Sequence, residues 1–223
     1  MDFTISLAGH TYKYLPEDVI IGAQISRRTF HGTVRDTPCI VKQVYSVDGS
    51  VAVRDLECFS KAFELGIGPE IYTTFVRNDT IHFVMQRFSV SLANLIAIQR
   101  GNLTKKQVLQ LVELMETLAS NSINFKTISH TKVFWNNGRF CLIDFCYPNV
   151  CDRFDPSQRD TFVFKHVNAL IMYCVNQRDL HFFLRSYANE SGKLNAEPEI
   201  SVAKAMIAQE QRRRFKRHRT AAF

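Results

Sequence analysis

The apolar residues of this chain change period in a fixed order, and that order constrains the fold more than any other feature. Before about residue 90 they alternate as in short strands, with one interruption of helical spacing. A strand-like segment, Thr11 to Leu15, precedes a Pro-Glu-Asp turn. Val19-Ile20-Ile21, Phe30 to Val34 and Cys39-Ile40-Val41-Lys42-Gln43-Val44-Tyr45 follow, the last rich in β-branched residues. Over residues 51–65 the period becomes helical, with Val51, Leu56, Phe59, Phe63 and Leu65 on one side, and Gly66-Ile67-Gly68-Pro69 ends the helix. Residues 70–76 and 80–87 then read as two strands joined by Arg77-Asn78-Asp79. The prediction is a small antiparallel sheet with one inserted helix.

The second half is helical with one exception. Residues 91–99 form a short helix, and a longer one follows over 104–120, capped by Thr104 and apolar at Val108, Leu111, Val112, Leu114, Met115 and Leu118. Val133-Phe134-Trp135 and Arg139-Phe140-Cys141-Leu142-Ile143 flank Asn136-Asn137-Gly138. Asn-Gly between apolar runs is a strong hairpin signal, because both turn residues tolerate positive φ. Helices are expected over 160–175, over 179–188 and from about 201 into the C-terminal tail.

Composition limits the function classes. With 223 residues, 46% hydrophobic and 22% charged, the chain reads as globular, and neither disordered nor fibrous. Its longest apolar run, 167–175, is broken by Asn168 and falls short of the ~20 residues of a membrane span. The first residues lack the basic and apolar regions of a signal peptide, so an intracellular protein, cytoplasmic or nuclear, is expected. Six cysteines without Cys-x-x-Cys spacing predict free thiols and no zinc site. The formal charge is +7, yet residues 212–219 hold six of the 28 Lys and Arg residues; without those six the charge is +1. Basicity belongs to the tail, where it fits nucleic-acid contact, nuclear import or a solvated helix end.

The succession of motifs resembles the protein-kinase superfamily. Cys39-Ile40-Val41-Lys42 is similar to the strand whose lysine contacts nucleotide phosphates, and Glu57 on the next helix resembles its glutamate partner. Gly22 opens the segment in the place of the glycine-rich loop. Gln86-Arg87-Phe88 falls where the interlobe hinge would be, and Leu142-Ile143-Asp144-Phe145-Cys146 is similar to the Asp-Phe-Gly segment, with Asp144 in the place of the magnesium ligand. Asp160 resembles the aspartate that opens a central helix of the C-lobe. The resemblance covers about residues 15–190. It implies an α+β, bilobal kinase-like fold: an N-lobe over 1–88 with a five-stranded antiparallel sheet and one helix, a truncated and mainly helical C-lobe over 89–205, and a basic tail over 206–223. The compactness resembles small atypical RIO-type kinases and shrunken viral relatives.

Departures from the family pattern concentrate where the chemistry should be. The resemblance places Phe125-Lys126-Thr127-Ile128-Ser129-His130-Thr131-Lys132 in the catalytic loop, with Thr127 for the catalytic aspartate and Lys132 for the metal-binding asparagine. A threonine hydroxyl is a very weak base near pH 7. An ammonium offers donors and no lone pair, so it cannot ligate Mg²⁺. No Asp or Glu lies between Glu116 and Asp144, so shifting the loop does not restore a base. After Gly22 no further glycine occurs before Phe30, and Cys146 replaces the last residue of Asp-Phe-Gly. One compensation is that Lys132 joins Lys42 in neutralising phosphate charge, with Asp144 and Glu57 as balancing acids.

Three functions follow as expectations. The first is a pseudokinase that acts by binding a protein, either a kinase or a kinase substrate, and also a nucleotide such as ATP, with little case for Mg. The second is a divergent, active serine/threonine kinase that keeps Lys42, Glu57 and Asp144. The third is a nucleic-acid-associated protein using residues 212–219.

Overall fold

The computed structural model describes residues 12–44, 50–125, 127–145, 150–151 and 156–191. The expected helix from about 201 and the basic tail lie outside the described residues, as do Tyr45 and Cys146. Two compact units emerge: Met1–Leu92 with Thr131–Val150, and Ala93–His130 with Cys151–Phe223. The boundary expected at 88/89 therefore moves to 92/93, and the hairpin with Asp144 joins the first unit. The physical reason is one long-range contact: Leu142 N donates to the Ile67 carbonyl at 2.7 Å, which ties the hairpin to the end of the first helix.

The first unit contains β1 (Val19–Ser26), β2 (Thr29–Val34), β3 (Thr37–Val44), α1 (Ser50–Glu64), β4 (Ile71–Arg77) and β5 (Thr80–Gln86). Its five strands form one sheet in the order β1-β2-β3-β5-β4, every neighbouring pair antiparallel. This is the five-stranded antiparallel sheet with one inserted helix that the sequence pattern predicts. The expected strand at 11–15 is absent from the described part of that segment. Lys13 and Tyr14 instead donate their amides to the Tyr72 carbonyl at 2.8 and 3.2 Å, and a 3-10 turn follows. Strand alternation divides the sheet's residues between two faces. Val34, Cys39, Val41, Tyr72, Phe75 and Val84 form a core on one of them. Ile40 and Lys42, in the alternate positions of β3, take the other, opposite Met85 and Phe83 in the ladder.

Later in the same unit, β6 (Val90–Ser91), β8 (Val133–Asn136) and β9 (Arg139–Leu142) form a three-stranded sheet. Asn137 and Gly138 close the β8–β9 hairpin with φ of 48° and 82°, the positive values a two-residue turn of this kind requires.

The second unit is mainly helical: α2 (Leu92–Ile98, whose first residue belongs to the first unit), α3 (Lys105–Ser120), the two-residue β7 (Asn124–Phe125), α4 (Arg159–Ile171) and α5 (Gln177–Ser191). The remaining two-residue strand, β10 (Val150–Cys151), lies where the chain passes from the first unit to the second. Thr104 caps α3 reciprocally: its hydroxyl accepts from Gln107 N at 3.2 Å, and Gln107 Oε1 accepts from Thr104 N at 2.8 Å. Helix α4 stops at Ile171, earlier than the pattern suggested. The chain there turns so that Val175 N reaches the Gly101 carbonyl at 2.6 Å. Asp160 lies in the first turn of α4, beside Arg159, which also binds Glu116 at 2.8 Å. Among the described residues no helix is long and apolar enough to cross a membrane.

Candidate functional site

Three local devices place the site, all in the first unit. The first is β3, whose alternation puts Lys42 on the face opposite the Cys39–Val41 core. The second is the end of α1. Ile67 N and Gly66 N return to the carbonyls of Ala62 and Phe63 at 2.9 and 2.8 Å, and Gly66 has φ of 69°. That is a Schellman cap, which needs a left-handed residue after the helix and finds it in glycine. The third is the hairpin. With Leu142 bonded to Ile67, and Ile143 N donating to the Lys132 carbonyl at 2.9 Å, the chain delivers Asp144 beside Lys42. Asp144 itself has φ of 72°, a conformation uncommon for a residue with a Cβ and often found at functional sites.

Two ammonium groups bracket the Asp144 carboxylate. Lys42 Nζ bonds Oδ1, and Lys132 Nζ bonds Oδ2 at 2.7 Å. All three side chains are half-buried, and the Phe59 ring lies 5.7 Å from the Lys42 ammonium. Burial alone would raise the Asp144 pKa. The Lys42 charge, the hydrogen bonds from Lys132 and Lys42, and the Lys132 charge outweigh burial and hold the carboxyl below the usual carboxylate range. Phe145 is buried and packs edge-on against Phe59, with ring centres 5.6 Å apart; Phe59 in turn meets Phe83 at 6.1 Å.

Lys42, Phe59, Lys132 and Asp144 line a cavity of about 920 Å³ whose lining comes entirely from the first unit. Ile40, Met85, Phe88, Phe134 and Ile143 supply apolar wall, and Gln86 a polar edge. At the β1–β2 turn the lining is Arg27 and Arg28. With Arg87, Lys42 and Lys132 the lining carries five cations against Asp144 as its one acid. A volume of this size takes a nucleotide-sized molecule, and the charge favours an anion.

The structure gathers some of the expected residues and separates others. Lys42, Gln86, Phe88, Lys132 and Asp144 all line the cavity. Gly22 is exposed in β1 and outside the lining, and Thr127 is exposed in the second unit. The expected Lys42–Glu57 ion pair is not formed. Glu57 is exposed, because the buried face of α1 runs through Ala52, Asp55, Leu56, Phe59 and Ala62 and residue 57 falls on the other side. Lys42 pairs with Asp144 instead. The acid on the inward face is Asp55, 1% exposed and one helical turn before Phe59. Helical phase contained that signal: Asp55 shares the 3.6-residue face of Phe59, and Glu57 does not. Arg27 and Arg28 are legible too, as cations in the segment that stands in the place of the glycine-rich loop.

The residues do not fit a divalent cation. Both Asp144 oxygens are already held by ammonium groups, and Lys132 repels a metal where a ligand is needed. No second acid lines the cavity, and no group of three His, Cys, Asp or Glu among the described residues is placed to share an ion.

No protein-family model matches the sequence, and no curated protein matches it. Among solved structures the chain is similar to one described as the crystal structure of the yeast RNA Pol II CTD kinase CTDK-1 complex. That similarity has 15% identity and a TM-score of 0.46, over 62% of this chain and 49% of that one. The match spans about half the length of the solved chain.

Proposed function

We propose that this chain is a kinase-like protein that binds a nucleotide and a protein partner without transferring phosphate, a pseudokinase in function. The observation that carries the reading is the Asp144 carboxylate held between Lys42 and Lys132 in a cavity with no other acid. Phosphoryl transfer needs a group to orient and deprotonate the acceptor, and cations to neutralise the transferring phosphate. The cations are present; the base is not. Thr127 and Lys132 occupy the loop positions that the family resemblance gives to an acid and an amide, and no Asp or Glu stands between Glu116 and Asp144. What is left suits recognition: an apolar pocket for a base, Gln86 as a polar edge and ammonium groups for phosphates. With catalysis absent, a protein partner is the target through which such binding acts.

Thermal unfolding with and without ATP tests the binding half of this reading. A ligand that binds only the native state stabilises it by about 2.7 kcal/mol at 100 times its Kd. The expected result is an upward shift for the wild type and its loss in Lys42→Ala. Equal melting temperatures for the wild type at millimolar ATP and without it would sink the proposal.

A further inference from the structure

We infer that the cavity binds the metal-free form of a nucleoside di- or triphosphate, with the Lys42 and Lys132 ammonium groups in the place of a divalent cation, and that Mg²⁺ competes with the protein for the ligand. The inference rests on the nucleotide-binding reading above and adds which ionic form is bound and what holds it.

Charge and geometry carry it. A free polyphosphate tail is strongly anionic, and chelated Mg²⁺ cancels two of its charges. A site built for the chelate keeps carboxylates for the metal. Here the one carboxylate has both oxygens engaged by ammonium groups, and Arg27, Arg28 and Arg87 add to the positive lining. An incoming phosphate oxygen is an acceptor like the Asp144 carboxylate, so the same ammonium protons can serve it directly. Asp144 holds the two cations near each other before the ligand arrives, which limits the cost of ordering them. His31, another lining residue, has a buried Nδ1 with no hydrogen-bond partner among the described residues, a further polar group for a ligand to meet. The apolar wall of Ile40, Met85, Phe88 and Phe134 suits the base and separates a nucleotide from a bare polyphosphate.

Titration calorimetry of the full chain with ATP tests the inference, once in EDTA and once with Mg²⁺ in excess over nucleotide. Tighter binding in EDTA is expected. Lys132→Met should weaken binding in EDTA by about ten- to a hundredfold, the range for a hydrogen bond to a charged group. Lys132→Arg, which keeps the charge and disturbs packing less, should retain most of the affinity and shows whether the Met variant lost a cation or its fold. Tripolyphosphate in EDTA should bind more weakly than ATP; equal binding overturns the nucleoside assignment. Binding that requires Mg²⁺, or that Lys132→Met leaves unchanged, overturns the inference and leaves nucleotide recognition standing. No binding in either buffer overturns nucleotide recognition itself.

Discussion

Replacing Asp144 by asparagine separates a role in balancing cations from a role in holding metal. The variant keeps the shape and leaves two half-buried ammonium groups without their shared carboxylate. Breaking such a pair costs about 3–5 kcal/mol when fully buried, and solvent at this partly open site reduces that to about 1–3 kcal/mol. Yet the competitor for the phosphate is gone, so ATP should bind Asp144→Asn more tightly than the wild type in EDTA. A metal-holding aspartate would instead show its loss with Mg²⁺ in excess, where Asp144→Asn would bind ATP more weakly than the wild type. Because its pKa is lowered, the Asp144 contribution is fully present above the ordinary carboxylate value and is lost as pH falls through the lower folded value. A second residue titrates earlier. Burial, and secondarily the Lys165 charge, push His166 from 6.5 down to about 4 against the hydrogen bond to the Phe125 backbone; its Nε2 has no partner among the described residues. The unfolded chain therefore takes a proton first. Stability from neutral His166 is present above pH 6.5 and is lost as pH falls towards 4, by an amount of the order of 3 kcal/mol. Urea midpoints at pH 7 and 4.5 should differ clearly in the wild type and less in His166→Leu. His130 and His181, lowered by burial as well, account for a remaining slope.

At the scale of elements, the site depends on how α1 ends. Gly68 is buried, and a Cβ there would meet the Ala62 Cβ at 2.6 Å and the Phe145 ring at 3.2 Å. Gly68→Ala therefore forces the helix end or Phe145 to move, and overpacking of this kind costs about 1–3 kcal/mol. Chemical denaturation should show that loss, and Gly68→Ala with Ala62→Gly should recover part of it. Full additivity of the two changes would mean that the contact is not what limits the turn. These elements were largely legible in the sequence, since strand alternation, the Gly-Ile-Gly-Pro stop and the Asn-Gly turn are local signals. Pairing across the fold was less so. The partner of Lys42 depends on which face of α1 is buried, and a resemblance in motif order carries no information on helical phase. That the hairpin belongs with the sheet unit was illegible as well, because it follows from the Ile67–Leu142 hydrogen bond, a contact between residues 75 apart in sequence.

For the whole molecule, charge and chemistry lie in different parts of the chain. The run 212–219 supplies six cations, and without it the formal charge is +1. Deleting residues 212–223 should leave the melting temperature and ATP affinity nearly unchanged while lowering retention on heparin, because clustered charges of this kind are usually solvated. A large loss of stability would show that the segment packs on the fold. The proposed pseudokinase site binds nucleotide without catalysing transfer, and a phosphotransfer assay reads this out. Full-length protein, γ-labelled ATP, Mg²⁺ or Mn²⁺ and generic protein acceptors should give no more label than the Lys42→Ala, Asp144→Ala double variant, since loss of a general base alone costs about 10²–10⁴-fold. Robust transfer by the wild type that the double variant abolishes would show that the site is catalytic.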